Sequence, residues 1–207
     1  MKVGPFVAQV GYSVMGILVV ASFWPSHTLA LGVGRSAAPE QHHASAADKD
    51  QTNALVKVVR DATERFQNVA AAEAEGYALQ FGCVSGPDAG AMGLHYVNGP
   101  LVMDGDLDPT HPEIVIYEAL PNGRLKLTGA DFLVLKDAWH AKHGAAPPEL
   151  MGQLLHLFES PNRFGLPDFY TLHVWAWKEN PNGTFVNWHP NVSCDSFAAD
   201  SRDPFAN

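Results

Sequence analysis

Lys and Arg are scarce in this chain: 13 against 22 Asp and Glu, for a formal net charge of −9. Nucleic-acid binding is led by cations that neutralise phosphates, so this balance argues against such a partner, and against an anionic membrane surface. Cysteine is nearly missing. Its two positions, Cys83 and Cys194, have no CxxC partner and no adjacent histidine, which argues against a thiol nucleophile or metal ligand. There is no GxSxG elbow, no phosphate-binding P-loop, and no GxGxxG followed by a helix, so the common hydrolase and nucleotide motifs are out. HExxH and HxH are absent too, and no repeat runs at solenoid period.

What is present begins with an address. Lys2, the apolar run Val14 to Trp24 and the small-x-small triplet Thr28-Leu29-Ala30 read as a secretory signal peptide over residues 1–30. The rival, an uncleaved anchor, usually needs about 20 apolar residues. Residues 31–50 are small, polar and aperiodic, and read as a flexible leader. Residues 51–207 are then one domain, long enough for a real core. No later apolar stretch approaches membrane-spanning length, so the cleaved protein has no membrane partner. An exported chain with two cysteines implies a Cys83–Cys194 disulfide.

Apolar residues at Leu55, Val58, Val59, Ala62, Phe66, Val69, Ala70 and Ala74 predict an amphipathic helix from Asp50 to Glu75 that packs on a sheet. Gly82 to Gly93 reads as loop. Leu94 to Met103 is a candidate strand broken at Gly99-Pro100. Glu113 to Ala119, the Pro121-Asn122-Gly123 turn and Arg124 to Leu135 form a hairpin. A short helical turn follows over Asp137 to His143. Pro147-Pro148 opens a second helix to about Phe158. The stretch LHVWAWKENPNGTFVNWHP, Leu172 to Pro190, reads as a last hairpin around Asn182-Gly183. The fold expected is α+β: a mostly antiparallel sheet, curled toward a barrel, covered by two helices and closed by one disulfide.

Strand alternation in that last hairpin puts His173, Trp175 and Trp177 on one face. Any even loop adds Trp188 to that face and sends His189 to the other. A three-indole cluster can be plain packing. It can also wall a ligand cavity, because small-molecule sites are largely apolar with a few polar groups. His95 in MGLHYVN, Glu118 in IVIYEA, Asp131 in GADFLVL and His173 in TLHVWAW are strand-borne ionisable groups in apolar runs, where an unpartnered charge is costly. His95, His173 and Glu118 make a candidate divalent-metal set, for zinc or iron. Tyr96, Asp131, Trp175, Trp177 and Trp188 make the candidate pocket lining. The bland alternative is that each histidine is a hydrogen-bonded core residue. The acids at 104, 106 and 108 read as an Asp-stabilised turn.

MGLHYVN, PEIVIYEAL, LHVWAWKENPNGTF and VNWHPNVSC resemble the signature segments of a family of uncharacterised exported bacterial proteins. The likeness runs from about Thr63 to Cys194. It implies an exported bacterial protein and carries no activity with it. Such proteins usually have Asn where this chain has His189, which makes His189 a poor candidate for a shared role. The leading functional expectation is an exported small-molecule or metal-binding protein with a Trp- and His-lined pocket. The alternatives are a metal-dependent or His/carboxylate hydrolase or oxygenase, and a structural or assembly protein with no small-molecule site.

Overall fold

The computed structural model describes residues 46–197. The expected signal peptide and most of the expected leader lie outside the described residues. Helix α1 runs Ala46–Thr63, so the last residues assigned to the leader are helical. The predicted single helix is broken after Thr63. The Thr63 hydroxyl donates back to Val59 O at 2.6 Å, a competitor for the helical ladder. A 3₁₀ turn, Glu64–Gln67, follows. Asn68 then caps a new start by accepting from Ala70 N, and α2 spans Val69–Ala74. The break shifts the helical phase, so Ala72 is buried while Ala70 and Ala74 are exposed.

The sheet strands are β1 (Ala78–Gly86), β2 (Gly90–Val97), β3 (Ile114–Ala119) and β4 (Leu125–Leu135). After two minor strands, β5 (Glu149–Leu150) and β6 (Gln153–Leu154), come β7 (His156–Phe158) and β8 (Phe169–Val174). The six-stranded sheet has the order β1-β2-β3-β4-β8-β7, and every neighbouring pair is antiparallel. It curves into a half-barrel, with helices packed against it. The α+β, disulfide-closed architecture agrees with the sequence reading. The expected loop at 82–93 is instead most of the β1–β2 hairpin. Its glycines serve irregular strand pairing: a Cβ on Gly93, at φ +105°, would stand 2.5 Å from Tyr117 O.

Gly99–Asp104 is helix α3, not strand; Pro100 suits its first turn. Helix α4, Lys136–His143, directly continues β4 as expected. The predicted second helix does not form. Met151 and Gly152 both take positive φ, 49° and 84°, which turns β5 back on β6. Leu154 is 64% exposed and Leu155 5%, so consecutive residues face opposite ways, as strand geometry requires. The last hairpin fails as well. After Val174 the chain leaves the sheet, and its return pairs with β2 through an isolated Ala91–His189 bridge. The Cys83–Cys194 disulfide ties that return to β1.

Alternation sorts the sheet into two buried faces. Ala130, Phe132, Val134, Tyr170, Leu172 and Val174 pack with Leu55 and Val59 of α1. Leu94, Tyr96, Val115 and Tyr117 pack with Phe66 and Ala72 beside them. The other face carries Ile114, Ile116, Leu133 and Phe169, covered by Val102 of α3 and by Phe158, Phe164 and Leu166. Residues 159–168 therefore form a strap over this second face. Among the described residues no helix is long and apolar enough to cross a membrane.

Candidate functional site

The second face holds four of the buried polar residues. His95 of β2 is opposite Ile116, Asp131 of β4 is opposite both Ile114 and His173, and Thr171 is opposite Leu133. All four polar residues are at least 95% buried. Register and alternation put them on one surface because each occupies the odd position of a strand whose even positions face the helices.

His95 is held in one tautomer. Its Nδ1 lies 3.1 Å from Gly93 O, and a carbonyl can only accept, so Nδ1 carries the proton. Burial, outweighing that hydrogen bond, pushes its pKa down to about 4. The ring is neutral at neutral pH, and Nε2 is a bare acceptor. Asp131 Oδ1 accepts the Thr171 hydroxyl at 2.5 Å. Burial still raises its pKa to about 7, because that hydrogen bond only partly offsets desolvation. His173 is 1% exposed, and neither ring nitrogen has a hydrogen-bond partner. Burial holds its pKa well below the ordinary value. Its ring lies 4.4 Å from the Trp175 ring.

Beside these groups is a small cavity of about 30 Å³. Phe81, Phe158, Phe164 and Phe169, with Met92, Ile114, Leu133 and Leu166, supply its apolar wall; His95, Asp131 and Thr171 are its polar residues. The strap closes it. Phe164 meets Phe81 at a ring distance of 5.3 Å, and Phe158 stacks on Phe169 at 5.3 Å. Arg163 latches the strap by donating to Ser85 O at 3.0 Å. Asp168, paired with Lys136 at 2.9 Å, also accepts from Ser160 N and so fixes the strap's ends.

The structure scatters the rest of the predicted site. Glu118 does not join His95 and His173; both its oxygens are bonded to Lys178, at 2.8 and 2.7 Å. His95 and His173 themselves sit on strands separated by β3 and β4 in the curved sheet, and after burial the His95 charge is among the causes that hold the His173 pKa down. Among the described residues no group of three or more His, Cys, Asp and Glu side chains is placed to hold a metal ion. Tyr96 faces the helices, edge-on to Tyr117. Trp177 crosses to the helix side, where its Nε1 donates to Thr63 Oγ1 at 2.9 Å. Trp188 lies under Arg163 on the outside of the strap.

Trp175 shares the His173 surface but does not line the cavity. The three-indole cluster is therefore a single indole. His189, expected on the opposite face, stands 4.8 Å from the Trp175 ring. The alternation argument failed because Trp175 to Trp177 are not strand: Ala176 N bonds Val174 O, and Trp177 N and Lys178 N both bond Thr128 O. His189 is fully engaged, with Nδ1 accepting from Asn191 N and Nε2 donating to Glu179 O, both at 3.0 Å.

Sequence reasoning also missed Glu113. It is 2% exposed, accepts from Leu133 N at 3.0 Å, and is pushed by burial to about 9. An acid heading the apolar run PEIVIY was the available signal. The four phenylalanines had none, since they come from β1, β7, the strap and β8 and meet only in the tertiary structure. No family model, curated protein or solved structure matches this chain.

Proposed function

We propose that this is an exported protein that holds a small apolar or aromatic ligand in the Phe-lined cavity under the strap. The observation that carries the reading is the wall itself: four phenylalanines and four aliphatic or thioether side chains around His95, Asp131 and Thr171. Apolar walls with a few convergent polar groups are the usual make-up of small-molecule sites. The export address and the likeness to exported bacterial proteins accord with a ligand met outside the cytoplasm. A second reading, acid–base catalysis, is favoured by one fact. Asp131 borders the cavity with its pKa raised to about 7, within the range that suits a general acid or base.

Saturation-transfer NMR of the mature chain against a set of single-ring aromatics tests the binding reading. Saturable binding is expected in the wild type, and its loss in Leu133→Trp, which fills the cavity. A wild type that binds none of them at millimolar concentration disproves the reading.

A further inference from the structure

The chemistry of the lining narrows the ligand, on the premise that the cavity is a binding site. His95 is presented to the cavity with its donor side already used. Its Nδ1–H is spent on Gly93 O, while Nε2 makes no hydrogen bond to any described residue. Among the described residues the fully buried side-chain nitrogens and oxygens without a hydrogen-bond partner are the two nitrogens of His173, so His95 Nε2, which lacks a partner too, keeps some accessible surface. A neutral imidazole fixed in this way offers one acceptor and no donor.

Charge narrows it further. No Lys or Arg lines the cavity, and Asp131 does. Arg163, on the strap, is exposed; it donates to Ser85 O and lies 5.9 Å from the Phe164 ring centroid. An anionic ligand would lose its hydration and face a carboxyl without a counter-ion. An ammonium would have three donors to satisfy. Asp131 already accepts from Thr171 and is kept partly protonated by burial, with the Glu113 carboxyl behind it. His95 Nε2 is the neutral acceptor on this wall with no hydrogen bond of its own among the described residues, and it matches one donor. The rings provide shape. Phe158 and Phe169 are nearly parallel, at 9°, while Phe164 meets Phe81 and Phe169 edge-on, at 64° and 66°. Faces and edges in such a group suit a further planar ring.

We infer that the ligand is a single uncharged aromatic ring bearing a hydroxyl, of the phenol class, with its ring among Phe81, Phe158, Phe164 and Phe169 and its hydroxyl donated to His95 Nε2. The cavity thereby prefers a hydrogen-bond donor to a hydrocarbon of the same shape, and a neutral ligand to a charged one.

The test is equilibrium binding of phenol, toluene, benzoate and benzylamine to the mature protein. Phenol is expected to bind about tenfold or more tightly than toluene, the scale of one net hydrogen bond, and benzoate and benzylamine more weakly than phenol. In His95→Phe the phenol advantage disappears while toluene still binds. A measurement on the wild type does not depend on that variant folding. The ¹⁵N resonance of unprotonated His95 Nε2 moves on addition of phenol and stays put with toluene. If toluene binds as tightly as phenol, or either charged ring binds more tightly, the inference falls and the cavity reading stands. If no ring binds, both fall.

Discussion

His173 is the residue whose chemistry is least accounted for by its surroundings. A buried polar group without a partner costs about 1–3 kcal/mol, and this imidazole has two such nitrogens. His189, nearby, has both of its nitrogens satisfied by backbone groups. The contrast predicts that His173→Leu leaves folding stability unchanged or raises it by about 1 kcal/mol, since an apolar side chain of similar volume removes the unmet polar atoms. Urea denaturation decides this. A loss above about 2 kcal/mol would mean that the imidazole makes an interaction essential to the fold. At this scale the sequence was partly legible. Asp131, His95 and His173 were singled out because ionisable groups in apolar strands are costly, and that reason holds for burial. It does not extend to convergence. Glu118 looked equivalent, yet two strand positions in one run differ in neighbours, and Lys178 reaches only that one.

The strap is the element on which access to the cavity depends. Its middle contributes Phe164 and Leu166 to the wall, and inside it Asn162 Oδ1 accepts from Phe164 N and Leu166 N. It is therefore a preformed unit. The closed cavity is small, against the roughly 150 Å³ that takes a benzene ring, so a ring is both admitted and housed only when the strap lifts. Arg163 is the polar contact that joins its tip to β1, beside the Phe164–Phe81 ring contact. Arg163→Ala is expected to speed hydrogen exchange of the backbone amides over residues 162–166 while leaving β3 and β4 protected. The stability cost should be within about 0.5 kcal/mol, as for most exposed positions. Equal exchange in variant and wild type would show that the strap is held by its phenylalanines alone. The stretch Asn162 to Pro167 reads from its sequence as loop, and the structure has neither helix nor strand there. Its role was not readable, because the helix expected before it, to Phe158, is a turn and an edge strand. The apolar spacing at Met151, Leu154, Leu155 and Phe158 fits either period over so short a run, and the positive φ at Met151 and Gly152 settles it.

For the whole molecule, buried ionisable groups on and beside the second face make stability depend on pH in two opposed senses. Glu113 and Asp131 have folded pKa values above their unfolded ones, about 9 and about 7. Their contribution is complete below an unfolded value of about 4 and is lost as pH rises through those folded values. His95, His173 and His189 have lowered folded values. Their contribution is present above an unfolded pKa of about 6.5 and is lost as pH falls below it. Between pH 7 and 9 Glu113 alone of these five still titrates. The protein should lose stability across that window at up to about 1.4 kcal/mol per pH unit, and Glu113→Gln should flatten the slope. Denaturant midpoints at pH 7, 8 and 9 measure it; an unchanged slope in the variant would place the proton uptake elsewhere. The disulfide limits the damage at either extreme. Closing a loop of 111 residues restricts the unfolded chain by about 4 to 5 kcal/mol in the chain-entropy account.

The amino-acid order by itself determined the fold class, the β3–β4 hairpin, the helix that continues β4 and the single disulfide. Each rests on simple rules: hydrophobic period, an Asn-Gly turn, and two cysteines with only each other to pair with. Only the tertiary structure decided the site. The cavity gathers side chains from β1, β2, β3, β4, β7, the strap and β8, and the strand order that brings them together follows from long-range pairing energies that no short window contains. The tryptophans, conspicuous in the sequence, went to three different places because the backbone left the sheet at Val174. The phenylalanines, unremarked one by one, became the wall.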